Sequence, residues 1–124
     1  MSEDISKLPP QVQERLLRMQ QLQQTLQSVL AQKQQVELEL AEIGQASSEV
    51  EKLTEDAVIY KSAGSLMIRA EKTKIGAELN ERKELLNTRV TVLTKQEERL
   101  RSQLKDLQTK LQQDLNQVSP PSQP

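Results

Sequence analysis

Cysteine and histidine are both absent from this 124-residue chain. Their absence removes the thiolate nucleophile, the commonest general base and the usual ligands of transition metals, along with any disulfide framework. Tryptophan and phenylalanine are missing too, and Tyr60 is the one aromatic side chain. Single-stranded nucleic acid is gripped by stacking aromatics in a basic groove. This chain has neither, and its 17 basic and 18 acidic residues nearly cancel. Gly44, Gly64 and Gly76 are too scattered to form a phosphate-cradling loop. No apolar run approaches membrane-spanning length, and residues 1–8 are polar and acidic, without the apolar stretch of an export signal. The expected protein is soluble and cytoplasmic, has no cofactor or metal, is not an enzyme, and binds neither nucleic acid nor membrane.

Core-forming material is equally scarce, since only 35% of the chain is AVILMFWYC. A chain of this length with so little apolar and aromatic mass is either elongated or disordered. Periodicity decides for the first. Beginning at Pro10, where a first-turn proline loses no hydrogen bond, steps of three and four residues give Val12, Arg15, Met19, Leu22, Leu26, Val29, Lys33, Val36, Leu40, Ile43, Ser47 and Val50. That row is a heptad seam, weakened near Gly44, Ser47 and Ser48, where a bend is permitted. A second row reads Leu79, Lys83, Leu86, Val90, Leu93, Glu97, Leu100, Leu104, Leu107, Leu111, Asp114 and Val118, with Thr73 as the expected N-cap. Acidic residues along both helices stand beside lysines and arginines, as in Glu81-Arg82-Lys83-Glu84, and read as solvated faces.

Between the helices lies the one stretch that does not read as helix. Val58, Ile59 and Tyr60 fit a pleated surface, Leu66, Met67 and Ile68 return as a second apolar run, and Ser62-Ala63-Gly64-Ser65 supplies the reversal. The hairpin is apolar on both faces, with Val58 and Tyr60 opposed to Ile59, and Leu66 and Ile68 opposed to Met67. An isolated hairpin is marginal in water, and no other segment of the chain is a strand candidate, so the partner strands are expected from other subunits.

Helices of similar length around a hairpin run back antiparallel. Mirroring residue numbers about Gly64 and Ser65 brings Arg15 near Asp114, Lys33 near Glu97 and Ser47 near Lys83. Such polar layers set register; alternatively Arg15 and Lys33 reach out to solvent along their own stems. The expected organisation is an arm at 1–9, a first coiled-coil helix at 10–54, the hairpin at 55–72, a second coiled-coil helix at 73–118 and a Pro-rich tail at 119–124. Apolar residues beyond the needs of a two-helix seam, Leu8, Leu16, Leu17 and Leu115, gather at the free helix ends. They are either ordinary surface leucines or a sticky surface for exposed hydrophobic chain, which the hydrophobic effect binds without demanding a sequence.

Glu55-Asp56-Ala57-Val58-Ile59-Tyr60-Lys61 followed by Gly64-Ser65-Leu66-Met67-Ile68, the opening Pro9-Pro10-Gln11-Val12-Gln13, and the Gln-rich run Val29-Leu30-Ala31-Gln32-Lys33-Gln34-Gln35-Val36 together resemble the beta-type subunit of archaeal prefoldin. The resemblance covers nearly the whole chain, and the hairpin with its spacing is its specific part. It implies a mainly α fold, a long antiparallel two-helix coiled coil whose central β-hairpin joins an intersubunit β-barrel. It further implies a hexamer of two alpha and four beta subunits that holds non-native proteins without ATP and passes them to a group II chaperonin. Carried over, Val58, Ile59, Tyr60, Leu66, Met67 and Ile68 would build the barrel. Leu8, Val12, Leu16, Leu17, Met19, Leu111, Leu115 and Val118 would contact clients. A structural scaffold or tether that binds one fixed folded partner is the alternative, and an RNA-binding helical arm, suggested by the basic residues of the second helix, is a weaker third.

Overall fold

A computed structural model describes residues 7–118, and the side chains of 7–117. The expected tail at 119–124 lies outside the described residues, as does the arm up to residue 6. The order of elements is α1 (Pro10–Glu51), β1 (Ile59–Ala63), β2 (Leu66–Ala70) and α2 (Lys72–Val118). These form two units, one of the chain up to Ala31 and from Leu93 onward, the other Gln32–Val92.

Pro10 opens α1 with its φ already set for a helix and no N–H to satisfy. The Pro9 carbonyl accepts the amides of Val12 and Gln13 at 3.0 and 3.1 Å, and Gln13 Nε2 donates to the Leu8 carbonyl at 2.6 Å. No break interrupts the helix at Gly44. At its other end α1 tightens, Leu53 N donating to the Val50 carbonyl at 3.1 Å, and then stops at Glu51, short of the expected residue 54. Helix α2 begins one residue before Thr73, so the expected N-cap is corrected: Thr73 lies inside the first turn, and the Glu71 carbonyl accepts Ile75 N at 3.0 Å. Thr88, Thr91 and Thr109 return their hydroxyls to carbonyls four residues back, which accommodates a residue type that helices otherwise disfavour.

The described seam positions of α1, polar ones included, are all buried or half-buried. Along α2 the seam holds from Leu79 to Asp114 except at Lys83, which is exposed; its long stem lets the ammonium leave the apolar row. Within the unit of the helix ends, Val12, Val29, Leu93, Leu104 and Leu111 are the best-covered side chains, and Val36, Ile43 and Leu86 hold that place in Gln32–Val92.

The strands pair antiparallel as Ile59↔Ala70, Tyr60↔Arg69, Lys61↔Ile68, Ser62↔Met67 and Ala63↔Leu66. The reversal is therefore two residues, Gly64-Ser65, rather than the four expected, and Val58 precedes the first strand. Gly64 has φ +60° and Ser65 does not share the positive φ, the pattern of a turn that demands glycine at its first central position. Its twist matches that of the flanking strands.

Candidate functional site

Opposed residues in an antiparallel pair project from the same face, so the register sorts the hairpin into two surfaces. One carries Ile59, Lys61, Ala63, Leu66, Ile68 and Ala70, the other Tyr60, Ser62, Met67 and Arg69. On the first, Ile59, Ala63 and Ala70 are half-covered, while Leu66 is 65% and Ile68 49% exposed. The second is open throughout, with Tyr60 57% and Met67 66% exposed. Val58, just outside the strand, is also exposed. The structure thus brings the predicted oligomerisation residues together on one hairpin and leaves all of them except Ile59 in solvent.

Charged groups fix the hairpin to the helices of its own unit. Lys61 Nζ donates to both carboxylate oxygens of Glu78, at 3.1 and 3.0 Å. Lys72, largely covered, donates to the carbonyls of Leu53 at 2.7 Å and Glu51 at 3.4 Å, and its ammonium lies 3.8 Å from a Glu55 oxygen. Since α1 has no basic residue in its last turn, Lys72 supplies the cation that a helix C-terminus favours. Neither contact is readable from the sequence, because each joins residues at least 17 positions apart.

In the unit of the helix ends, the predicted client-contact residues divide. Leu17 and Leu115 are exposed, whereas Leu8, Leu16 and Met19 are half-buried. Val12 and Leu111 lie inside the seam, at 2% and 4% exposure, because they occupy its regular three-four steps. The Val118 side chain lies outside the described residues. Beside this seam Arg15 Nη1 donates to Asp114 Oδ2, with both side chains mostly shielded, so Arg15 makes a partner across the helices instead of turning to solvent. Glu97 accepts Arg101 Nε at 2.9 Å along its own helix.

Among the described residues no group of three or more acidic side chains is placed to hold a metal ion, and no helix is long and apolar enough to cross a membrane. Leu38, Leu85 and Val92 are exposed apolar residues in neither the seams nor the hairpin. Counting along the seams passes over them; their signal is that Leu85 and Val92 repeat at seven residues with Arg89 between.

The prefoldin subunit model matches residues 13–118. The prefoldin subunit beta of Methanothrix thermoacetophila is 46% identical over 114 residues, which are 92% of this chain and 95% of that one. That of Thermococcus kodakarensis is 43% identical over 111 residues, 90% and 95% of the two chains. Among solved structures, the prefoldin beta subunit from Thermococcus strain KS-1 superposes with a TM-score of 0.83 at 43% identity, covering 93% of this chain and 98% of that one. The beta2 subunit of the same strain, at 21% identity and a TM-score of 0.67 over 73% and 97%, shares the fold.

Proposed function

The chain belongs to the prefoldin subunit family, a family of chaperone subunits and not of enzymes, and from this footing we propose that it acts as an ATP-independent holdase. In this reading Val58, Ile59, Tyr60, Leu66, Met67 and Ile68 complete an intersubunit β-barrel with hairpins of prefoldin alpha and further beta subunits, two alpha and four beta in all. The helix ends take up non-native proteins in the cytoplasm and pass them to a group II chaperonin.

The observation that carries the reading is the hairpin's exposure on both faces. Leu66 at 65% and Met67 at 66% sit on opposite surfaces, so no single covering layer shields both. Moving such side chains from water into a shared barrel is worth roughly 1.5–3 kcal/mol each, enough in sum to offset the entropy of association. For client contact the support is Leu17 and Leu115, exposed, with Leu8, Leu16 and Met19 half-covered beside them in sequence. Val12, Leu111 and Val118 join them in the proposal, the first two wherever the helices part. Apolar contact of this kind discriminates poorly between partners, as a holdase requires.

The test is suppression of aggregation of two unrelated unfolded proteins, without nucleotide, by the assembled protein and by its Leu16→Ser, Leu17→Ser, Leu115→Ser variant. We expect suppression to fall several-fold in the variant at unchanged native mass. Undiminished suppression overturns the assignment of the helix ends.

A further inference from the structure

At the helix ends the seam carries a charged step between two covered apolar residues. On α1, Val12 is followed three residues later by Arg15; on α2, Leu111 is followed three residues later by Asp114. The helices return antiparallel, so the Arg15–Asp114 contact lies between the level of Val12 and that of Leu111. Both charged side chains occupy seam positions and are mostly shielded. Inward of them each row is apolar for four positions, Met19 to Val29 on α1 and Leu111 back to Leu100 on α2. The charged step thus stands at the outer end of an apolar run, and its members are chain neighbours of the exposed pair: Leu17 is two residues after Arg15, and Leu115 follows Asp114.

Stability alone does not call for charges there. Taking two charges out of water costs much of what their attraction returns, and apolar side chains of similar volume in such a place commonly hold as well or better. What an ion pair at a seam position supplies is level, because it fixes which residues meet across the helices. It also makes that step the easier one to part. The pair keeps 26% and 16% of its side-chain surface in solvent, so water and dissolved ions take over both groups as the helices separate, whereas separated leucines gain nothing from water. Val12 and Leu111 bind nothing while the seam covers them, so any affinity they lend is scaled by the fraction of time the ends are open.

We propose that the Arg15–Asp114 pair is a releasable clasp on the helix ends: closed, it holds Val12 and Leu111 inside the seam, and opened, it gives them up to non-native chain. The proposal rests on the reading of the helix ends as the client site. Arg15 and Asp114 are positioning residues here, since they set how much apolar surface the ends present. Leu17 and Leu115 need no opening and make the first contact. A client chain then covers Val12 and Leu111 in the open state and draws the equilibrium toward it. With no client present, the clasp keeps the same two residues from sticking to other copies.

The chain has no cysteine, so one introduced thiol reports its own exposure. Leu111→Cys lies well inside the end of α2 and meets a maleimide while the helices are parted; Leu17→Cys, on the outside, is the control. In the assembled protein, adding Arg15→Leu with Asp114→Leu should slow labelling at position 111 about tenfold and leave position 17 unchanged. The same two changes in the otherwise unaltered chain should lower suppression of aggregation several-fold, at unchanged native mass and helical circular dichroism. Exchanging the charges, Arg15→Asp with Asp114→Arg, should restore both readouts. Raising sodium chloride from about 0.05 M to about 1 M, where the screening length shrinks to roughly 3 Å, should speed labelling at position 111 with the original pair but not in the Arg15→Leu, Asp114→Leu chain. Labelling at position 111 that ignores those two changes overturns the clasp, and so does slowed labelling with suppression undiminished. Suppression that also ignores Leu16→Ser, Leu17→Ser and Leu115→Ser overturns the client site itself, and the clasp with it.

Discussion

In the unit Gln32–Val92 the hairpin leaves Tyr60, Leu66, Met67 and Ile68 in solvent, whereas in the unit of the helix ends Val12 and Leu111 are among the best-covered side chains of the chain. Both sets are apolar; the geometry of repetition separates them. A three-four step puts every apolar residue of a helix on one stripe, and a second such helix from the same chain covers it. A two-residue alternation filled with apolar residues in consecutive positions puts them on both sides of a sheet, and a two-stranded sheet has nothing of its own to lay over either. The helix ends therefore cover their own apolar stripe, whereas the hairpin leaves apolar side chains open on both of its faces.

The sharpest way to break that contrast is to charge the open faces. Met67→Asp with Ile68→Asp strikes both surfaces at once, and the expected result is loss of oligomeric mass by native mass spectrometry with the helical circular dichroism retained. An assembly that survives would move the contact away from the hairpin. Next in size is the seam: Leu111→Ala should cost roughly 2–5 kcal/mol in denaturant unfolding, against within about 0.5 kcal/mol for Leu17→Ala, because the first vacates a packed site and the second a wet one. Equal costs would erase the distinction between covered and exposed leucines in that unit. Gly64→Val forces a β-branched side chain into positive φ at a cost of about 1–2 kcal/mol, read as a lowered melting temperature, whereas Gly64→Asn should recover much of it. Smallest is the Arg15–Asp114 pair. A double-mutant cycle with alanine at each should give a coupling of about 1 kcal/mol that weakens in high salt, since both side chains, though mostly shielded, keep some contact with solvent.

The helices were legible because their periodicity repeats over many turns, so single polar positions such as Arg15 and Ser47 did not obscure it. What the repeat could not convey was how far a long side chain departs from its backbone position, and Lys83 leaves the seam on that account. Boundaries were shifted for a related reason. Thr73 carries the favoured N-cap side chain, but α2 starts at Lys72 directly after the strand end, leaving Glu71 to occupy the cap. The hairpin was legible from its two apolar runs and Gly64, yet the ladder counted back from the two-residue turn ends at Ile59↔Ala70, which leaves Val58 just outside the first strand. Among the expected client contacts, Val12 and Leu111 came with the family resemblance, although both also stand in the three-four rows, and it is the rows that match their burial. Lys72 leaves no mark in the sequence because its acceptors are backbone carbonyls, which no side-chain pattern reveals.

That lysine has a bearing on how a nascent chain acquires its form. The exit of α1 offers carbonyls with no basic side chain of the helix's own last turn to meet them, and the ammonium that does so belongs to a residue translated only after both strands. In a growing chain those carbonyls have no ammonium from this source until the hairpin closes and delivers Lys72. Closure of the two-stranded element and the capping of the preceding helix are thereby tied through one side chain, so whatever opens the former also withdraws the cation from the end of the latter.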